Sequence, residues 1–225
     1  MIMPIRKEGG IHIIIVLIIA TLLSFSSIVF QFPELKVFSL LVWVIFILVV
    51  NFFRDPEREV PEDESSIISP ADGKIIDIRK VKEESYLKKE VTRVSIFMSI
   101  FDVHVNRSPV QGVIDYLHYN PGKYLAAYKE KASLDNEQMT IGFIRSPEEK
   151  RDKKEFKVMI RLIAGLIARR IELWKEMHDK IMKGERIGMI KFGSRVEVYL
   201  PNEVEIYVRE GDKVKAGKTI IGKVK

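Results

Sequence analysis

IHIIIVLIIATLLSFSSIVF, residues 11–30, and VFSLLVWVIFILVVNFF, residues 37–53, divide this chain into two unlike parts. The first run is interrupted only by His12 and a few Ser and Thr, the second only by Ser39 and Asn51. Each has about the 17–20 residues with which a helix crosses a hydrocarbon core. The link, Gln31-Phe32-Pro33-Glu34-Leu35-Lys36, is short and carries a helix-breaking Pro. The pattern predicts a helical hairpin in a membrane, with helices about 11–30 and 37–53. Residues 1–53 hold three cations (Arg6, Lys7, Lys36) and two anions (Glu8, Glu34), whereas the other 172 residues hold 34 and 29. Arg6 and Lys7 precede the hairpin and Arg54 and Arg58 follow it. Cations at both outer ends place both termini, and the domain from residue 54 onward, on the cytoplasmic side of the cell membrane. A cleaved signal peptide is disfavoured, because a second apolar run follows directly and no small-x-small site separates the two. A buried core hairpin would need the remaining domain to cover it on all sides. His12 sits near a helix end, where a polar tip reaches the interface, and is assigned no chemistry.

The 225 residues fit one catalytic-size domain plus an appendage. With 47% apolar and 30% charged residues, disordered and low-complexity classes are excluded. The absence of Cys removes disulfides, thiolate nucleophiles, iron–sulfur clusters and cysteine zinc sites, and says nothing about compartment. Four His (12, 104, 118, 178) leave little material for a metal site, and none is expected. The charges of residues 54–225 are intermixed with a small cationic excess. Beside an anionic leaflet each cation contributes about 1 kcal/mol. No aromatic-interleaved basic motif or basic recognition helix is present, so nucleic acid is not an expected partner.

Residues 54–64 form a charged, Pro-containing linker, and the rest reads mostly as strands. Residues 66–77 give a strand, a Pro70-Ala71-Asp72-Gly73 turn and a strand. Residues 91–105 (VTRVSIFMSIFDVHV), 110–117, 157–168, 195–199 and 204–208 are further strand candidates. The Gly-punctuated end, residues 210–222, is expected to close a barrel-like unit. Helix is expected only over 123–131 and 171–182. A period near two favours a β-dominated α+β class: a barrel-like β domain preceded by the hairpin.

Few residues stand out as chemical candidates. Asp72 lies in Ser69-Pro70-Ala71-Asp72-Gly73-Lys74, where Asp-Gly is first of all turn geometry. His104 lies between apolar residues of a strand, where most histidines are structural. His118 precedes a turn and His178 falls on the expected surface helix 171–182; both default to structural roles. A lone Gly193-Ser194 is weak by frequency. Its setting raises it, because Gly193 joins a polar segment to a strand and leaves its carbonyl open to approach.

The combination is more specific than its parts. It begins with Phe53-Arg54-Asp55-Pro56-Glu57-Arg58, the Ser-Pro-Ala-Asp-Gly-Lys turn, and Asp102-Val103-His104-Val105-Asn106-Arg107-Ser108-Pro109. Lys131-Ala132-Ser133 and Asn136-Glu137 come next, followed by Leu162-Ile163-Ala164-Gly165-Leu166 and Ala168-Arg169-Arg170-Ile171. The set ends in Gly188-Met189-Ile190-Lys191-Phe192-Gly193-Ser194-Arg195. In this order the segments resemble the phosphatidylserine decarboxylase family, nearest its short form, which includes archaetidylserine decarboxylases. The resemblance implies a self-cleaving proenzyme. Ser194 Oγ attacks the Gly193 carbonyl, the amide becomes an ester, and elimination releases residues 1–193 (the β chain), which stay with residues 194–225 (the α chain). With loss of ammonia, Ser194 becomes a pyruvoyl group. That cofactor takes the substrate amine into a Schiff base and accepts the electrons left by CO2. The substrate implied is a serine phospholipid held in the membrane. A hydroxyl nucleophile needs a base, and Asp72 and His104 are the candidates for orienter and base in the manner of a Ser-His-Asp relay. His104 is also the candidate proton donor in turnover. The chain departs from the longer members, which carry two histidines three residues apart where this one has His104 and Arg107. They also have Gly-Ser-Thr where this one has Gly193-Ser194-Arg195.

Three rival readings fit parts of the chain. Residues 208–217 resemble the turn of biotinyl and lipoyl carrier barrels, but no modifiable Lys stands on a tight hairpin between Met-like neighbours. A sugar-phosphotransferase barrel shares the Ser-Pro-Ala-Asp-Gly look and would recruit His104, without accounting for Gly193-Ser194 or the hairpin. A membrane-anchored binding module would leave the Gly193–Ser194 bond intact.

Overall fold

The computed structural model describes residues 4–122, 136–145, 156–165, 170–191 and 194–225. They form two compact units, Met1–Glu57 and Arg58–Lys225, with the boundary inside the charged linker.

In the first unit, α1 (Gly10–Phe30) and α2 (Pro33–Phe52) make the expected hairpin. Gln31 ends α1 in the left-handed region (φ 53°), and Pro33 starts α2, where its missing N–H leaves no bond unmade. At 1.5 Å per residue each helix is about 30 Å long, the thickness of a hydrocarbon core. Small and hydroxyl-bearing residues face inward: Ala20, Ser27 and Ser39 are buried. Ser24 Oγ lies 2.8 Å from Ser39 Oγ, and Trp43 Nε1 donates to Ser24 Oγ at 3.1 Å. Large apolar residues face outward, with Phe25 67% and Ile28 72% exposed. Small residues inside and apolar ones outside suit helix packing in lipid. Both helices are long and apolar enough to cross a membrane. His12 packs on the Phe53 ring, with centroids 5.6 Å apart.

The second unit is built of strands. They are β1 (Ser66–Ile68), β2 (Gly73–Glu83), β3 (Lys89–Met98), β4 (Val105–Arg107), β5 (Gly112–Asn120), β6 (Gln138–Arg145) and β7 (Phe156–Ala164). Then follow β8 (Ile171–Leu173), β9 (Lys180–Ile181), β10 (Arg186–Ile190), β11 (Ser194–Pro201), β12 (Val204–Ile206), β13 (Lys213–Val214) and β14 (Ile220–Val224). The main sheet runs β13-β2-β3-β11-β7-β6-β5-β9; two small sheets run β1-β14-β12 and β4-β10-β8. One apolar core joins the inner rows of β3, β7 and β11 to Ile67 of β1, Ile221 of β14 and Ile187 and Ile190 of β10.

Three expectations change. The main sheet curls as an open half-barrel rather than closing. Its end strands β9 and β13 have two residues each, and β14 pairs with β1 and β12 instead. The single strand expected over 91–105 breaks after Met98. There Asp102 Oδ2 accepts the Ser99 N–H at 2.7 Å, and the turn delivers β4 to a different sheet. The helix expected over 171–182 is β8, a turn and β9. Ile171, Glu172 and Leu173 pair with Ile190, Met189 and Gly188 of β10, so partners across the sheet override a helix-like local pattern. His178 sits in the turn at φ 73°, not on a helix. The helix expected over 123–131 lies outside the described residues. At the start of β2, Gly73 (φ 156°) is required, since a Cβ there would stand 2.2 Å from the Phe97 carbonyl oxygen.

Strand β11 is buried along its whole length. Val196, Val198 and Leu200 join the apolar core. On its other face Glu197 meets Arg195 at 2.8 Å and accepts from the Tyr199 hydroxyl at 2.5 Å, while Arg93 of β3 stands 3.7 Å and Arg161 of β7 4.0 Å away. Arg195 also donates to Ser95 Oγ at 2.9 Å. Burial, reinforced by the Glu197 charge, pushes the Tyr199 hydroxyl pKa well up. Removing the carboxylate leaves buried guanidinium charge uncompensated, so Glu197→Ala is expected to destabilise the domain by about 3–5 kcal/mol in denaturant unfolding of the purified chain.

Candidate active site

Ser194 opens β11 at a change of sheet. Its chain arrives from β10 in a small sheet and enters the centre of the main one. Met98 of β3 and Ala164 of β7 are its register partners, and all three belong to the inner face. Ser194 is fully buried. Among the described residues its Oγ has one hydrogen-bond partner, Met98 Sδ at 3.2 Å. A thioether is a weak acceptor, so the hydroxyl hydrogen is held loosely. Phe192 and Gly193, and with them the bond expected to be cut, lie outside the described residues.

His104 is also fully buried and immediately precedes β4. Its carbonyl accepts the Ile190 N–H at 3.4 Å, which ties it to the end of β10 that leads toward Ser194. Its Nδ1 is 3.0 Å from the Asp102 carbonyl oxygen. A carbonyl only accepts, so Nδ1 carries the hydrogen and Nε2 is the basic nitrogen.

Asp72 stands in the turn between β1 and β2. Its Oδ1 accepts the Ala216 N–H at 2.7 Å, and its Oδ2 accepts from Arg58 Nη2 at 2.8 Å. Burial pushes the Asp72 pKa up; the Arg58 charge and these hydrogen bonds oppose the shift, and the nearby Asp102 charge adds to it. The turn is fastened to the His104 strand through Pro70, whose carbonyl accepts the Arg107 N–H at 2.9 Å. The structure therefore brings the three expected residues onto connected segments, but not into one hydrogen-bonded chain. Neither Ser194 Oγ nor the Asp72 carboxylate bonds to His104 among the described residues. The groups that hold Asp72 are Arg58 and a backbone amide, while a backbone carbonyl orients the imidazole. His118, on the exposed end of β5, and His178, in its turn, stay apart from this cluster. Arg107, where longer relatives are expected to place a second histidine, is buried and donates to the Gly184 carbonyl at 3.0 Å.

Reading the residues one at a time missed two members. Asn106 is fully buried, with Nδ2 3.8 Å from the Met98 sulfur that touches Ser194, and Oδ1 accepting nothing among the described residues. Glu137 is 3% exposed, and its carbonyl accepts the N–H of Ala164, the partner of Ser194, at 3.0 Å. The available signals were positional. Asn106 follows His104 by two, hence falls on the same face of an apolar strand, and Asn136-Glu137 is a polar pair at the entrance to the largely apolar β6.

Comparison with known proteins adds an independent line. The family model described as phosphatidylserine decarboxylase matches residues 45–222. The chain is similar to the phosphatidylserine decarboxylase proenzyme of Carboxydothermus hydrogenoformans, 49% identical over 188 residues, 83% of this chain and 84% of that one. The proenzyme of the same name from Desulfotalea psychrophila is 41% identical over 89% of this chain and 91% of its own. That of Geotalea uraniireducens is 39% identical over 97% and 96%.

The Asp72 carboxyl yields a pH prediction. Its pKa in the folded chain lies above the ordinary value of 3.8. The folded state therefore holds this proton more tightly, and the group's contribution to stability falls as pH rises from 3.8 through the raised value. Asp72→Asn lacks this dependence. Wild-type stability minus that of Asp72→Asn is expected to decline with pH across that window in unfolding measurements; a difference rising with pH would reverse the assigned sign.

Proposed function

The chain belongs to the phosphatidylserine decarboxylase family, and from that premise we propose that it is a membrane-anchored proenzyme that cuts itself between Gly193 and Ser194. The mature enzyme removes CO2 from the serine headgroup of a phospholipid, the diester phosphatidylserine or the diether archaetidylserine, and leaves an ethanolamine lipid. The observation that carries this reading is Ser194: a fully buried hydroxyl at the sheet change, bonded only to a thioether among the described residues.

Such a hydroxyl gives up its hydrogen to a stronger acceptor at little loss. His104 Nε2 is the base assigned to take it. Attack of Oγ on the Gly193 carbonyl turns the amide into an ester. Elimination then releases Gly193 as a carboxylate, and water replaces the nitrogen at residue 194, which leaves as ammonia. The surroundings fit a keto group there: Met98 and Ala164 flank the position, and the buried Asn106 amide, with Nδ2 3.8 Å from the Met98 sulfur, is a donor close by. The pyruvoyl group supplies the electron sink for loss of CO2 from a captured amine. His104 returns a proton to the carbon that lost CO2. Asp72, through its turn and the Pro70 carbonyl, positions the strand that follows His104. Residues 1–193 and 194–225 remain associated as β and α chains. The two apolar helices anchor the chain in the bilayer that holds its substrate, and the cations at both outer ends support a domain on the cytoplasmic side.

Ser194→Ala is expected to run as one uncleaved chain on a denaturing gel and to release no CO2 from vesicles of either lipid. A variant that is cleaved and active would remove this reading. His104→Ala is expected to lower CO2 release by at least ~100-fold; wild-type rates would strip His104 of its roles.

A further inference from the structure

Glu137 bonds two segments, one paired with Ser194 and one paired with the end of β10. On one side its carbonyl bonds the Ala164 N–H at 3.0 Å, and Ala164 pairs with Ser194. On the other its Oε1 is 3.4 Å from the Ile171 nitrogen, and Ile171 pairs with Ile190 at the end of β10. The Tyr119 hydroxyl donates to the same Oε1 at 3.2 Å. One carboxylate oxygen is thus held by two donors. The other, Oε2, is buried and meets no donor among the described residues.

An unpaired buried carboxylate oxygen is costly. The carboxylate is not required to hold the backbone at Ala164, because the Glu137 carbonyl and Asn136 Nδ2, the latter 2.6 Å from the Ala164 carbonyl, already do so. A carboxylate oxygen accepts hydrogen bonds and does not donate them, so the partner that completes it brings a donor, and a primary ammonium is the strongest match. Resting on the decarboxylase reading, in which the substrate brings an ammonium to residue 194, we propose that Glu137 is the group that receives the substrate amine.

Its Oε2 binds the ammonium and takes one proton, which leaves a neutral amine whose lone pair attacks the keto carbon at residue 194. A C–N bond forms, and the keto oxygen departs as water. Both hydrogens of that water come from the ammonium, one directly and one by way of Glu137, which ends ionised as it began. Oε1, fixed by Tyr119 and the Ile171 amide, keeps the carboxylate aligned throughout.

The test uses phosphatidylethanolamine, which offers the amine without a carboxylate to lose. Processed enzyme in detergent is incubated with this lipid and cyanoborohydride, and attachment of the lipid to the 194–225 fragment is followed by mass. Glu137→Gln is expected to be cut into the same fragments as wild type and to capture the lipid at least ~10-fold more slowly near neutral pH. The deficit should shrink as pH is raised toward the pKa of the free amine, a recovery that a merely structural defect would not show. Tyr119→Phe keeps the carboxylate and is expected to slow capture a few-fold; it carries the test if Glu137→Gln does not fold. Wild-type capture rates in whichever variant is tested, or a Glu137→Gln chain that folds but stays uncleaved, would overturn the assignment. A wild-type chain that is never cut sinks the decarboxylase reading and this inference with it, whereas normal wild-type capture matched by Glu137→Gln sinks the inference alone.

Discussion

Strand β11 is buried on both faces, and the other features of the domain depend on how it is held. It pairs with β3 from Ser194 to Pro201 and with β7 from Ser194 to Tyr199. Its inner row continues the apolar core, and its outer row is locked by Glu197 among three arginines. A strand fastened along two ladders and two faces does not need a covalent link at its N-terminal end. The rest of the C-terminal segment is woven in as well, since β13 pairs with β2 and β14 with β1. A cut before Ser194 would therefore create a chain end inside a standing sheet, rather than release a loose peptide. That is the physical condition for a prosthetic group made from the chain itself: the new terminus must stay where its neighbours can use it.

The candidate groups around it are polar and held by backbone and side-chain bonds. Asp102 holds the His104 imidazole through its carbonyl, Ala216 and Arg58 hold Asp72, and Asn136 and Glu137 bracket Ala164. No hydrogen bond joins the Ser194, His104 and Asp72 side chains among the described residues. Positions are instead set by turns and backbone bonds to neighbouring strands. Orphaned acceptors at Asn106 and Glu137 mark where the arrangement is incomplete among the described residues.

Much of this was legible in the amino-acid order. The hairpin was readable because two apolar runs of membrane length, joined by a short link, suit few folds besides paired helices, and Pro33 marked the turn. Ser194, His104 and Asp72 became candidates through ordered motifs, not through any one residue's chemistry. What could not be read was long-range pairing. The segment 171–182 has a local pattern compatible with helix and becomes strand only because β10 lies beside it. The open edge of the sheet follows from the shortness of β9 and β13, which no turn signal reveals. Glu137 gains its meaning from contact with Ala164 and Ile171, which are 27 and 34 residues away in the chain.

The central claim is that residue 194 ceases to be a serine. The most direct measurement is the intact mass of the C-terminal fragment from purified wild-type protein, with and without a hydrazide that reacts with ketones. The account requires a fragment of residues 194–225 that is lighter by one ammonia than the same peptide with a free N-terminal serine, and that gains one hydrazide label. A fragment bearing an ordinary serine amine, or a full-length chain that still releases CO2 from the lipid, would contradict it.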